Sequence, residues 1–153
     1  MSENRMVKAL MEEYYRSAID LKEVLSEISD AEFDEIRDLK TEDPDCKSIQ
    51  TVVSHILNSG YTYINYINIR SEIEWIEYET IIVNSSVGIS ELDKMLNYTK
   101  SSLKNILHLK DQELEMWKIE TRWNVIYDFE QLMEHAIVHI LRHRRQIEQF
   151  LQN

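Results

Sequence analysis

The sequence predicts an all-α fold, a four-helix bundle with a long crossover connection, on three observations. The chain of 153 residues holds only 2 Gly and 1 Pro, too few punctuators for a sheet-rich fold. Apolar residues recur at spacings of three and four in four separate stretches, the signature of amphipathic helices. Charged residues make up 29% and hydrophobic residues 43%, a balance that suits a soluble helical chain. The length fits one domain, 1–153, with room for a real core.

The first helix is read over about Glu3 to Ile28. Met6, Leu10, Tyr14, Ala18, Leu21, Leu25 and Ile28 form one stripe, with Glu, Lys and Arg between them. Ser29 to Lys47 is polar, and Pro44 disfavours helix at Asp43, so this reads as a connection with room for one short turn at Ala31 to Leu39. Ser48 has the character of an N-cap. Behind it Ile49, Val52, Val53, Ile56, Tyr63, Ile64 and Ile67 share a face, which carries a helix to about Ile69. Gly60 falls inside this pattern at a cost of about 1 kcal/mol relative to alanine, and a close helix contact is one use for it.

Ser71 to Gly88 fits either an extended helix or a loop, since SEIEWIEYE mixes Ile, Trp and Tyr with glutamates and TIIVNSSVG has strand character. Ser90, with Asp93 three residues on, is expected to restart a helix that buries Leu92, Met95, Leu96, Thr99, Leu103, Ile106 and Leu107. His108 follows at its C-terminal end. Leu114 to Tyr127 is dense in aromatic and β-branched residues and reads as a short hairpin or an extended crossover. Asp128 and Gln131 then cap a last helix running to about Leu151.

Composition narrows the function classes. A net charge of -11 opposes binding to a phosphate backbone, and the one basic knot, Arg142 to Arg145, is short. The single cysteine, Cys46, allows no internal disulfide. No apolar run approaches the ~20 residues of a membrane span, and the first residues have no apolar signal core. Cytoplasmic localisation is the default expectation, with no membrane and no nucleic acid among the partners.

Chemistry is concentrated in HAIVHILRHRRQI, which carries three of the chain's five histidines at four-residue intervals. On a wheel of about 100° per residue with Leu132 at zero, His139 falls near −20° and His143 near +20°, inside the apolar stripe. His135 falls near −60° on the same wheel, at its edge, and Gln146 near −40°, where it borders the same face. Successive inward histidines stand roughly 6 Å apart at Cβ, close enough to share an ion. His55 lies about 60° outside Val52 on the second long helix, with Asn58 and Ser59 beside it. A third imidazole from that helix would complete a three-nitrogen site, with M–N distances of about 2.0–2.1 Å. The imidazoles accept Zn, Ni, Co or Fe and do not choose among them. The competing reading is a pair of hydrogen-bonded core histidines with no metal.

Other features read plainly. Glu72, Glu74, Glu77 and Glu79 form a solvated face, and Tyr61, Tyr63 and Tyr66 are core or rim. Cys46 has no histidine near it in sequence, which weighs against a nucleophile. Among nucleophile-elbow, phosphate-loop and HExxH patterns the chain has none.

SIQTVVSHILNSGYTYINYI resembles the second-helix motif of the DinB/YfiT-like family, where a Ser-led helix start precedes a histidine. HILRHRRQI is similar to that family's closing His-x-x-x-His motif, and YDFEQLMEHAIVHILRHRRQIEQFL matches over the whole last helix. Carried over by position, the resemblance implies a metal triad of His55, His139 and His143, with Gln146 at the family's glutamine. Arg145 departs from the pattern, because many members have Gly there. The resemblance further implies a divalent metal and a homodimer. Some relatives are transferases that use low-molecular-weight thiols such as bacillithiol or mycothiol, and others are described only as damage-inducible or as hydrolases. The expectation is therefore a metal-dependent enzyme, a thiol transferase or hydrolase tied to stress or detoxification, acting on a small molecule or thiol. Asn58, Ser59 and His135 are candidates for pocket or substrate contact. The alternative is a non-enzymatic, stress-related binding module with a structural or vestigial metal site.

Overall fold

Apolar faces separated by capping residues fold into four long helices, α1, α3, α4 and α6, joined by short helical turns, an extended strap and a two-stranded sheet. The structure, a computed structural model, describes residues 2–152. Helix α1 spans Arg5–Ser26, shorter than expected at both ends, because Asn4 supplies the cap and accepts the Val7 N–H at 3.0 Å. Asn4 also donates from Nδ2 to the Leu109 carbonyl at 2.8 Å and to Asp111 at 2.9 Å, so one side chain fixes the helix start to a distant loop. Val7, Tyr14, Ala18, Leu21 and Leu25 are buried along α1 at the helical spacing.

In the polar connection that follows, Ser29 and Glu32 form a capping box around a single turn, α2 (Asp30–Phe33), which buries Phe33. A 3₁₀ turn over Pro44–Cys46, capped by Asp43, delivers the chain to α3 (Ile49–Asn68), and Ser48 caps that helix as expected. A Cβ added at Gly60 would lie 2.2 Å from Met95 Sδ and 3.1 Å from the Tyr14 hydroxyl, so glycine permits the close approach of three helices here.

The segment left open between helix and loop is an extended strap over residues 72–83. Glu72 turns it away from α3 with a left-handed backbone, φ 59°. Polar side chains of α3 then hold its main chain. Asn65 both donates to the Ile76 carbonyl and accepts the Ile76 N–H, Asn58 accepts the Thr80 N–H, and Ser54 accepts the Ile82 N–H. Gln50 donates to the Ile82 carbonyl at 2.8 Å.

Helix α4 spans Ser85–Lys104, so its expected start at Ser90 is corrected by a turn and a half. Asn84 caps it by accepting the Val87 N–H at 2.9 Å, and Gly88 lies inside the helix. Asp93, expected near the cap, pairs with Lys22 instead. The helix ends at Lys104, with buried Ile106 in the turn beyond and His108 exposed. A short helix α5 (Asp111–Glu115) precedes the hairpin β1 (Ile119–Glu120) and β2 (Ile126–Tyr127), which pair antiparallel with Ile119 opposite Tyr127. Asp128 and Gln131 exchange backbone and side-chain hydrogen bonds at 3.0 and 2.8 Å to cap α6 (Phe129–Gln152).

Helices α1 and α3 each pack against both α4 and α6. The shared core includes Tyr14, Leu21, Leu57, Ile64, Leu92, Leu132, Ala136 and Ile147. Among the described residues no helix is long and apolar enough to cross a membrane.

Candidate metal centre

Helices α3 and α6 pack directly, and that contact brings the histidines together. His139 and His143 are 6% and 5% exposed on the inner face of α6, where the spacing predicted them. His55 reaches the same point from α3 and stays half-buried. Its Nε2 lies 3.0 Å from His139 Nε2. The ring centroids of His139 and His143 are 4.4 Å apart, and His55 lies 4.8 and 5.0 Å from them. One nitrogen from each residue lies within 4.8 Å of the other two.

Neighbours fix which nitrogens face inward. Asp45 Oδ2 lies 3.3 Å from His55 Nδ1, which places the proton on Nδ1 and leaves the Nε2 lone pair for the cluster. Gln146 Oε1 lies 2.8 Å from His143 Nδ1 and has the same consequence there. Burial pushes His139 down to about 2, and the other histidines and Arg142 push in the same direction. Burial also lowers His143. His139 and His143 are therefore neutral near pH 7, the state that ligates metal.

A donor set of this kind fits a divalent ion. Nitrogens bound tetrahedrally at 2.0–2.1 Å stand about 3.4 Å apart. The separations of 3.0 Å for His55–His139, and at most 4.8 Å overall, bracket that spacing. Hydrogen bonding alone serves the cluster poorly, since inside it the inward lone pairs of His55 and His143 share a single donor, His139, and Arg142 Nη2 approaches His143 Nε2 only to 3.5 Å. No aspartate, glutamate or cysteine joins the three histidines among the described residues, so a bound ion keeps an open position.

The remaining candidates fall around this point. His135 does not join the cluster. It stacks on Trp123 with ring centroids 5.5 Å apart, and its Nδ1 meets the Tyr127 hydroxyl at 3.3 Å. Asn58 and Ser59 both line a cavity of about 580 Å³ that opens over His55 and His139. Asn58 is also committed to the strap through the Thr80 N–H. Trp75 and Tyr78 of the strap, Tyr61 and Tyr63 of α3, and Trp123 of the hairpin give the cavity aromatic walls. Tyr61 and Tyr78 stack at 4.1 Å.

Two residues passed over in the sequence matter here. Asp45 looked like loop, yet the turn before α3 sets its carboxylate against His55. The signal was available in principle, because an acidic turn just ahead of a helix lies beside that helix's early turns. Asn65 drew no attention in the sequence, but with Gln50, Ser54 and Asn58 it makes a polar row that holds the strap. Cys46, set aside as distant in sequence, sits in the same turn as Asp45, its thiol 3.5 Å from Asp43 Oδ2. Burial raises its pKa, which disfavours the thiolate.

The fold and the cluster define a class: a mostly helical protein with three converging histidines able to hold a metal ion. The DinB family model matches residues 1–153, and the chain belongs to the DinB family. No curated protein was found to match it.

Proposed function

We propose that the chain is a divalent-metal-dependent enzyme of thiol-transferase or hydrolase type, with His55, His139 and His143 as its ligands. The observation that carries the reading is the meeting of three imidazoles, two of them, His55 and His139, at the floor of a cavity. A bound ion would supply Lewis acidity, lowering the pKa of a water or thiol presented to it. The chain's own residues do the rest. Asp45 and Gln146 orient the His55 and His143 rings, and the aromatic walls and the strap shield the floor from bulk water. His135, held by Tyr127 and Trp123 on the cavity wall, is a side chain able to move a proton there, and burial keeps it neutral near pH 7.

In this reading the four long helices form one bundle domain in the ring order α1, α4, α3, α6, with the strap as part of the crossover. The protein works in the cytoplasm as a homodimer, as the family likeness suggests. The substrate is a small molecule, with a low-molecular-weight thiol as co-substrate, in stress or detoxification chemistry. The open cavity favours this over a non-enzymatic module with a closed metal site.

Elemental analysis of untagged protein, beside His55→Ala and His139→Ala, tests the metal. About one Zn, Ni or similar ion per chain, lost in both variants, is expected. Metal that persists in both would contradict the ligand set. Thiols assayed against electrophiles, and esters and amides for hydrolysis, then test the reaction. A metal-loaded protein inert in every assay would favour the binding module.

A further inference from the structure

Two arginines from different elements line the cavity above the histidines. Arg142 stands on α6 with Nη2 3.5 Å from His143 Nε2. Arg122 belongs to the hairpin turn. Its backbone N–H donates to the Tyr66 hydroxyl at 2.8 Å, and its Nη2 donates to Thr62 Oγ1 at 3.0 Å. Its guanidinium lies 5.9 Å from the centre of the Trp75 ring. Neutral groups therefore hold Arg122 in place, and most of its donors stay free.

Among the described residues neither arginine forms an ion pair. Asp45, the carboxylate beside the cluster, is engaged with His55. Glu77 and Glu79 also line the cavity, from the strap, and are exposed like the two arginines, but neither pairs with them. Arg142 is the cation nearest the cluster among the residues lining the cavity, with Nη2 3.5 Å from His143 Nε2.

Three neutral imidazoles leave both charges of a divalent ion uncompensated. Arg142 adds a third positive charge beside it, against the carboxylate of Asp45 at His55 and that of Asp43, which also acts on His143. Such a floor favours an anion, and guanidinium groups bind carboxylate and phosphate through charge-assisted pairs of hydrogen bonds. The walls above it favour a flat or apolar body, since four aromatic side chains, Tyr61, Tyr78, Trp75 and Trp123, line them.

We propose that the cavity takes a small organic anion with a flat apolar body, its acidic group bound by Arg142 with Arg122 as the second donor. The proposal deepens the metal-enzyme reading and rests on it for the ion's share of the charge. It makes Arg122 and Arg142 the residues that select the substrate.

Isothermal titration of the zinc-loaded and metal-free full chain with four small probes tests it. Benzoate and phenyl phosphate carry the acidic group, benzyl alcohol is neutral, and benzylammonium reverses the charge. The expected order places at least one acid about tenfold or more tighter than benzyl alcohol, with benzylammonium weakest. Whether benzoate or phenyl phosphate leads tells carboxylate from phosphate ligands. Arg122→Gln and Arg142→Gln each weaken the acid about fivefold or more while leaving benzyl alcohol alone, and Arg122→Lys restores part of the loss. Zinc content measured on the same samples separates the two claims. A protein that takes up no zinc removes the metal reading. A zinc-loaded protein that binds benzyl alcohol as well as both acids, or whose acid binding ignores both Gln variants, overturns the anion proposal alone.

Discussion

Acidification of the metal-free protein should destabilise it through His139. In the fold that imidazole is held down to about 2, chiefly by burial, while an unfolded histidine titrates near 6.5. Below pH 6.5 the unfolded chain therefore binds a proton that the folded chain refuses. Stability is fully present above pH 6.5 and is lost as the pH falls below it. The slope is about 1.4 kcal/mol per pH unit for one such group, so His139 alone accounts for about 2 kcal/mol between pH 6.5 and 5. His143 and His135 are also lowered and add to the slope in the same direction. The lowered carboxylates, Asp43 and Glu32, titrate below this window, and contributions of other groups, such as the raised Glu130, cancel in the comparison with the His139 variant. The assay is urea unfolding of chelator-treated protein at half-unit steps from pH 7.5 to 5, with His139→Asn in parallel. The native slope should exceed that of the variant by about one proton. Equal slopes, or a flat native profile, would refute the claim that His139 is buried and uncharged.

Further predictions follow from the packing around the site. Asn65→Ala removes both hydrogen bonds to Ile76 and the acceptor of the Tyr98 hydroxyl, and should cost about 2–4 kcal/mol in urea unfolding, with faster amide exchange across residues 73–83. An unchanged exchange pattern would show that the strap is held by something else. Asp45→Asn and Gln146→Leu should each weaken zinc binding about 10–100-fold in chelator competition without unfolding the chain, because each loosens the orientation of one ligand. Gly60→Leu forces Met95 and Tyr14 aside and should destabilise by about 1–3 kcal/mol or more in thermal melts, whereas a surface helix position would tolerate it.

Much of the fold was legible because its signals are local. Ser48 and Asp128 cap their helices with residues three positions on, and Ile49, Val52, Val53 and Ile56 repeat at the helical period, so neighbours alone decide those elements. The start of α4 was misplaced because Asn84 and Ser90 both offer capping chemistry, and it is Asn84 that accepts an N–H, from Val87. The strap stayed open for a different reason. Its backbone is satisfied by side chains of α3, some of them thirty residues earlier in the chain, and no periodicity within residues 71–88 records that.

The site divides along the same line. His139 and His143 show their inward direction through the spacing of one helix, but their meeting with His55 depends on how α3 and α6 pack. Asp45, the Arg122–Trp123 pair and Arg142 reach the cavity from three places in the chain, and nothing in their local sequence marks those places as neighbours.

Zinc K-edge X-ray absorption on protein loaded with one equivalent of zinc tests the central claim most directly. The account predicts three imidazole nitrogens at about 2.0–2.1 Å with imidazole multiple scattering, falling to two in His55→Ala. A first shell without imidazole scattering, or one containing sulfur from Cys46, would contradict it.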